Sequence, residues 1–341
     1  MNFVVTNFDP CVFRHETKQF FIAVYVDDLT LYGESGRYMD EIKTSLKSEF
    51  EVTDLGDLHW LLGIQIEFTK RGIELSQTAY IDTVLQRFKM NEAHPTVLPM
   101  DANTKFQKGS PMGPEDIQIY QSIIGSMMYA VTCTRPDLAY TVTCLSQFSS
   151  APSKEHLLAA KRVLRYMKGT RELKLIYPWT KEIILEGYCD SDFANCTDTR
   201  RSISGNIFRL SNATISWRSK KQKSVATSTS EAEYMALSLA SKQFIWLKNA
   251  LMELQTVPTV SAIHCDNKAA IDIAHNPRSG DRSKHIDVHY HAIREHIEDG
   301  TITLLQVPTK ENLADICTKP LPMVTLQYLR DLIMNAKRGG M

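Results

Sequence analysis

EIILEGYCD (182–190), SGNIFRL (204–210) and ATISWRS (213–219) follow one another as three apolar runs rich in β-branched and aromatic residues, the composition of strands. A helical pattern then runs from about 229 to 254. VSAIHCD (260–266) reads as a strand and NKAAIDIAH (267–275) as a short helix. DVHYHAIREHIEDG (287–300) reads as a helix, ITLLQVP (302–308) as a strand and NLADICTK (312–319) as a last helix. Three strands, a helix, a strand, helices, a strand and a helix predict an α/β (α+β) domain around a mixed sheet.

Working back toward the amino terminus, a helical zone precedes this one. YQSIIGSMMYAVTCT (120–134) and LAYTVTCLSQFS (138–149) are apolar at helical spacing and are split by Arg135-Pro136. SKEHLLAAKRVLRYMKGT (153–170) starts at Ser153, an N-cap residue, and carries Gly169 as its expected C-cap. A loop rich in Pro, Gly and Asn, about 91–114, separates these helices from a first zone. That zone opens with FFIAVYV (20–26), turns at Asp27-Asp28 and continues as LTLYG (29–33). EIKTSLKSEFEV (41–52) predicts an amphipathic helix, and LLGIQIEF (61–68) with GIELS (72–76) a hairpin in which Gly72 supplies the turn.

The chain has 341 residues, room for two or three domains. Formal net charge is zero, so nucleic-acid binding would have to come from local basic patches. Seven cysteines with no C-x-x-C pair argue against a disulfide framework or a zinc ribbon and suit a reducing compartment. The amino terminus lacks the pattern of a signal peptide, and no apolar run approaches the ~20 residues of a membrane span.

Four acids of the last zone stand at informative places. Asp190 closes the first strand, Asp266 the fourth, Glu233 lies in the first turns of the long helix, and Asp315 lies early in the last helix. Brought to one sheet edge, they would repel unless cations neutralised them. Carboxylate oxygens are the ligands Mg²⁺ prefers, and two such ions about 3.5–4 Å apart can clamp a phosphodiester for hydrolysis. Each acid also has a plainer reading. Asp266 could N-cap the helix after it, Asp315 could favour a helix start, Asp190 has rivals in Asp192 and Asp198, and Ser230-x-x-Glu233 is a capping box. Ser228-x-x-Glu231 is a second such box. Positions 233, 237, 240, 244, 247 and 251 are Glu, Leu, Ala, Phe, Leu and Leu, whereas the face through 231 is mixed. This assigns Glu231 to a surface cap and aims Glu233 at the sheet.

From near its first residues to near its end the chain resembles the carboxy-terminal part of a copia-type LTR retrotransposon Pol polyprotein. YVDDLTLYG (25–33) resembles the polymerase palm motif and LGIQIEF (62–68) the strand after it. YQSIIGSMMYAVTCTRPDLAYTV (120–142) resembles the segment leading to the nuclease. GYCDSDFANCTDTRRSISG, SWRSKKQKSVATSTSEAEYMAL, HCDNKAAI, RSKHIDVHYHAIREHI and NLADICTKPL resemble, in order, the blocks of its ribonuclease H.

The resemblance implies a partial reverse-transcriptase palm over 1–90, a thumb- or connection-like helical segment over 91–180, a ribonuclease H-like domain over 181–320 and a tail over 321–341. It implies that Asp190, Glu233, Asp266 and Asp315 are catalytic metal ligands for Mg²⁺, with Mn²⁺ able to substitute. The reaction implied is hydrolysis of the RNA strand of an RNA–DNA hybrid, and the location implied is a cytoplasmic virus-like particle, with the nucleus as the alternative. Asp27 and Asp28 resemble the paired palm aspartates. That chemistry needs a third aspartate on an earlier strand. The 26 residues before Asp27 hold one acid pair, Asp9 and Glu16, in a stretch resembling the part after that strand. Primer extension is therefore not expected of this chain, and the upstream Pol regions are expected partners. The rival reading is a non-catalytic relic or nucleic-acid-binding remnant.

Arg200, Arg201, Lys220, Lys221 and Lys223 are the expected phosphate contacts, against a solvated face as the plain alternative. Lys161, Arg162, Arg165 and Lys168 form a further basic run that could follow a duplex. His285 and His289 are four apart, with His291 and His296 nearby, but no cysteine pair supports a zinc site among them.

Overall fold

A computed structural model describes residues 1–275 and 293–336. Three sheets occur among them. The first joins β1 (Phe3–Val5), β2 (Val12–His15), β3 (Phe21–Tyr25) and β4 (Asp28–Tyr32) in sequence order, all antiparallel. The helix α1 (Arg37–Glu49) covers it, packing Ile42 against Phe20 and Ile22. This helix starts before the 41–52 expected, while Phe50 is already extended.

The second sheet orders β5 (Trp60–Leu61), β6 (Ile64–Thr69), β7 (Gly72–Ser76) and β8 (Leu175–Pro178). The expected hairpin is β6–β7. Gly72 matters less as a turn residue than as a gap: at φ +147° a Cβ would sit 2.0 Å from Tyr177 O of β8. That strand, not foreseen in the sequence, returns the chain to this sheet after about a hundred residues.

Between them lie α2 (Thr78–Arg87), α3 (Pro114–Cys133), α4 (Ala139–Ser146) and α5 (Lys154–Gly169). Ser153 caps α5 in a box whose third-position partner is His156, its Nδ1 accepting from Ser153 N at 2.9 Å. Gly169 is the last helical residue, and Thr170 takes the C-cap. The basic run on α5 is mostly occupied. Arg162 forks onto Asp101, and Arg165 and Lys168 hold the carbonyls of His94 and Asn91. These side chains fasten the 91–101 loop to the helix. Arg135, at the break after α3, is fully buried and makes a two-bond fork to Asp137 at 2.9 and 2.8 Å.

The third sheet has the order β11-β10-β9-β12-β13: β9 is Ile184–Asp192, β10 Ile203–Leu210, β11 Ala213–Lys221, β12 Val260–Cys265 and β13 Thr303–Gln306. The first three are antiparallel, while β12 runs parallel to β9 and β13 parallel to β12. This is the ribonuclease H-like mixed sheet expected. The long helix α6 (Thr229–Glu253) packs on one face, burying Leu237, Ala240, Phe244, Leu247 and Leu251 against Leu185, Phe208 and Ile263. α7 (Lys268–His275) follows β12.

The opposite face meets the helical layer. Tyr188, Ile207 and Trp217 pack with residues of α3, α4 and α5. Two expectations for the carboxy-terminal end change here. NLADICTK is not an α-helix but a 3₁₀ turn, Leu313–Cys317, and Pro320 bars its continuation into a longer helix. Residues 321–341 are not simply a tail. Met323–Ile333 form α8, whose Leu326, Leu329 and Ile333 are buried in the same core, each contributing about 1.5–3 kcal/mol.

Candidate metal centre

The local structure assigns the capping roles to neighbours of three of the four acids, Glu233, Asp266 and Asp315. Ser228 Oγ accepts from Glu231 N at 3.2 Å, so Ser228 is the N-cap of α6 and Ser230 is not. Asn267 Oδ1 accepts from Ala270 N at 3.0 Å and caps α7, not Asp266. Asn312 Oδ1 accepts from Ala314 N at 3.1 Å and caps the 3₁₀ turn, not Asp315. Glu231 does serve the helix start, accepting from Thr227 N at 2.7 Å, but it is 8% exposed, so its expected surface position is corrected.

The turn that carries Asp315 approaches the sheet through Gly205, the residue paired with Asp190 across β9 and β10. A Cβ at Gly205 would lie 2.5 Å from Thr318 Cγ2, 2.8 Å from Cys317 Cβ and 3.0 Å from Ala314 O. Absence of a side chain here is what lets the turn sit over Asp190. Thr318 Oγ1 then donates to Asp190 Oδ2. Lys319 Nζ stands 2.9 Å from Asp315 Oδ1 and 3.7 Å from Asp190 Oδ2. Asn312 Nδ2 donates to Cys189 O at 2.9 Å and reaches Asp266 Oδ1 at 3.4 Å. Ligand atoms of Glu233, Cys265 and Asp266 all lie within 4.8 Å of one another.

Electrostatics follow from this crowding. Glu233 is 5% exposed. Burial, then the charges of Asp190, Cys265 and Asp266, push its carboxyl up to about 10. Burial and Asp190 push Asp315 up to about 7 against the opposing pull of Lys319. Asp192, the last residue of β9, is raised to about 6, chiefly by burial. Glu233 Oε2 is buried without a hydrogen-bond partner among the described residues. The carboxylates fall into two neighbouring groups, Asp190 and Asp315 around Lys319 and Glu233 with Asp266 beside the Cys265 thiol, and their oxygens are the donors that a hard divalent cation takes.

Gln222 ties the frame together. Its Nε2 reaches Ser191 Oγ on β9 at 3.3 Å, Ser204 Oγ on β10 at 2.9 Å and the carbonyl of Ala232, beside Glu233, at 2.9 Å. Thr318, Lys319, Asn312, Gly205 and Gln222 were not singled out by sequence reasoning. TKP after Asp315 was the only signal available for Thr318 and Lys319.

Of the expected phosphate contacts, Lys223, Arg200 and Arg201 are exposed. Lys220 is held below its usual range, first by the charge of Arg218 and also by Lys223, so these three cations form one patch. Lys221 instead donates to Gln147 of the helical layer at 2.9 Å. Asp27 and Asp28 are exposed at the β3–β4 hairpin, and among the described residues no further potential ligand joins them. His285, His289 and His291 lie outside the described residues. His296 Nδ1 is 3.8 Å from Asp299 Oδ2. Among the described residues no helix is long and apolar enough to cross a membrane.

Residues 7–102 match the family model described as reverse transcriptase (RNA-dependent DNA polymerase). The chain is 39% identical over 344 residues to the retrovirus-related Pol polyprotein from transposon TNT 1-94 of Nicotiana tabacum, covering 97% of this chain and 26% of that protein. It is 36% identical over 222 residues to a putative transposon Ty5-1 protein of Saccharomyces cerevisiae, covering 64% of this chain and 71% of that one. The chain belongs to the copia-type retrotransposon Pol polyproteins. It spans about a quarter of the length of the tobacco Pol relative. It therefore carries a reverse-transcriptase-family segment followed by a ribonuclease H-like mixed sheet. Among solved structures it is similar to LC11-RNase H1 in complex with RNA/DNA hybrid, at 15% identity and a TM-score of 0.30, covering 39% of this chain and 93% of that one.

Proposed function

We propose that this Pol segment hydrolyses the RNA strand of an RNA–DNA hybrid with Mg²⁺ or Mn²⁺, and that Asp190, Glu233, Asp266 and Asp315 hold the cation. The observation that carries this reading is the buried Glu233 Oε2, without a hydrogen-bond partner among the described residues, beside Asp266 and under the charge of Asp190, while Lys319 joins Asp190 to Asp315 and Asn267 and Asn312 relieve Asp266 and Asp315 of capping. A divalent cation there supplies Lewis-acid neutralisation of the charge that builds on a phosphodiester during hydrolysis. Water adds to phosphorus, the bond to the 3′-oxygen breaks, and the products are a 3′-hydroxyl and a 5′-phosphate. Thr318 holds Asp190 in place, Asn312 holds Asp266, and Lys319 offsets carboxylate charge and can turn to a phosphate oxygen. Arg218, Lys220, Lys223, Arg200 and Arg201 meet the backbone of the hybrid. The units follow as 1–90, 91–180 and 181–320, with α8 docked on the helical unit. Asp27 and Asp28 are a polymerase remnant in this reading.

Lys319 also favours a second reading. An ammonium between Asp190 and Asp315 satisfies those charges without a metal, as a non-catalytic relic would require. The whole chain is the molecule to test, because the helical layer covers one face of the sheet. With Mg²⁺ or Mn²⁺ it should cut RNA paired to DNA and spare single-stranded RNA and duplex DNA. Asp190→Asn, Glu233→Gln, Asp266→Asn and Asp315→Asn should each fold and lose at least about 100-fold in rate, more than loss of an outer partner costs. Folded, hybrid-binding protein that cuts nothing with either cation would establish the relic.

A further inference from the structure

We propose that Glu233, Cys265 and Asp266 form a mixed oxygen–sulfur site that takes a thiophilic divalent cation such as Zn²⁺, Co²⁺ or Cd²⁺. The site shares two carboxylates with the nuclease reading above but does not depend on cleavage. Three donors converge within 4.8 Å: Glu233 from the first turns of α6, Cys265 from the end of β12, and Asp266 from the residue after it. Glu233 is buried to 95%, being 5% exposed, and its Oε2 has no hydrogen-bond partner among the described residues. A polar atom so placed costs stability unless a ligand completes it.

The sulfur decides which ligand. Mg²⁺ takes oxygen donors, whereas thiolate selects Zn²⁺ and related borderline cations. Two thiols lie side by side here, because Cys265 pairs with Cys189 across the parallel β9–β12 ladder. They are not equivalent. Cys189 Sγ reaches His264 O at 3.6 Å, while Cys265 Sγ reaches Asn267 O at 3.9 Å and shares a side-chain hydrogen bond with Cys189. Only Cys265 belongs to the converging set. A tetrahedral ion with bonds of about 2.0–2.3 Å holds its donors roughly 3.5 Å apart. The three ligand atoms thus need to close by little more than about 1 Å. A fourth position stays open to water or a phosphate oxygen. On binding, the Cys265 thiol gives its proton to solvent and sulfur donates the lone pair to the ion, with no change of oxidation state.

The test is optical titration of the whole chain with Co²⁺ alone. A near-ultraviolet sulfur-to-cobalt charge-transfer band should appear at one equivalent. It should vanish in Cys265→Ser and persist in Cys189→Ser and Cys11→Ser. Glu233→Gln should keep the band but weaken cobalt binding by about tenfold, as loss of one anionic ligand does. In the unmutated chain Zn²⁺ should bleach the band, while Mg²⁺ at about a hundredfold excess should not; this holds even if Cys265→Ser fails to fold. No band in the unmutated chain, a band surviving in folded Cys265→Ser, or bleaching by Mg²⁺ would overturn the site. A sulfur–cobalt band in a chain that cuts no hybrid would sink the nuclease reading and leave this one standing.

Discussion

Lys319 Nζ stands 2.9 Å from Asp315 Oδ1, so an internal cation already sits where the nuclease reading needs an external one. The ammonium and a metal ion compete for the same oxygens. Lys319→Gln should therefore tighten Mn²⁺ binding by about tenfold, because a unit charge only about 4 Å away interacts strongly even at partly screened sites. The same change should lower the melting temperature in EDTA, where carboxylate repulsion is no longer offset. Calorimetric titration with Mn²⁺ and thermal melts would read both. Equal Mn²⁺ affinity in the two proteins would remove Lys319 from the site.

Gly205 is the contact on which the position of Asp315 depends. Gly205→Ala forces a methyl onto Thr318, Cys317 and the carbonyl of Ala314. We expect a stability loss of about 1–3 kcal/mol, the usual cost of overpacking. Cleavage should fall further, by about 100-fold, because a displacement near 1 Å at a reacting site costs that much. Denaturant melts beside rate measurements would separate the two. Full activity in the variant would show that the turn need not touch the sheet.

The acid cluster should make stability depend on pH in a stated direction. Folding raises Asp315 to about 7 and Glu233 to about 10. Groups raised on folding favour the protonated native state, so their contribution is complete below the unfolded carboxyl values and is lost as pH rises through the folded ones. In EDTA the melting temperature should fall from about pH 5 toward pH 8. Asp315→Asn should flatten that fall below about pH 7, and Glu233→Gln should flatten it across the whole window. Saturating Mg²⁺ should remove it, since the cation replaces the protons. A flat profile in EDTA would mean the carboxylates are less crowded than the geometry indicates.

The Arg218, Lys220 and Lys223 patch should carry sequence-independent binding to hybrid duplex. Charge reversal at Lys220 or Lys223 should each reduce the slope of log K against log salt by about 1. Lys221→Glu should act differently, disturbing the Gln147 contact and so stability as well as binding. Fluorescence anisotropy across a salt series measures the slopes. If none changes, the hybrid binds another face.

Sequence determined more of this protein than its neutral charge suggests. Alternation of apolar residues reports which side chain faces a core, and that signal is local. It was enough for the strands β9–β13, for α6, and for aiming Glu233 inward, since Leu237, Ala240, Phe244, Leu247 and Leu251 share its buried face. The order of family motifs marked the four acids. Capping was less legible, because Ser228 and Ser230 are both competent and only the backbone path chooses between them. Tertiary structure alone decided what depends on contacts distant in sequence. β8 belongs to the sheet of β7 because Gly72 leaves room for Tyr177. Residues 323–333 fold back because Leu326, Leu329 and Ile333 find an apolar layer built from α3 to α5. Thr318 and Lys319 meet Asp190 across more than 120 positions of chain only because Gly205 has no side chain to hold them off.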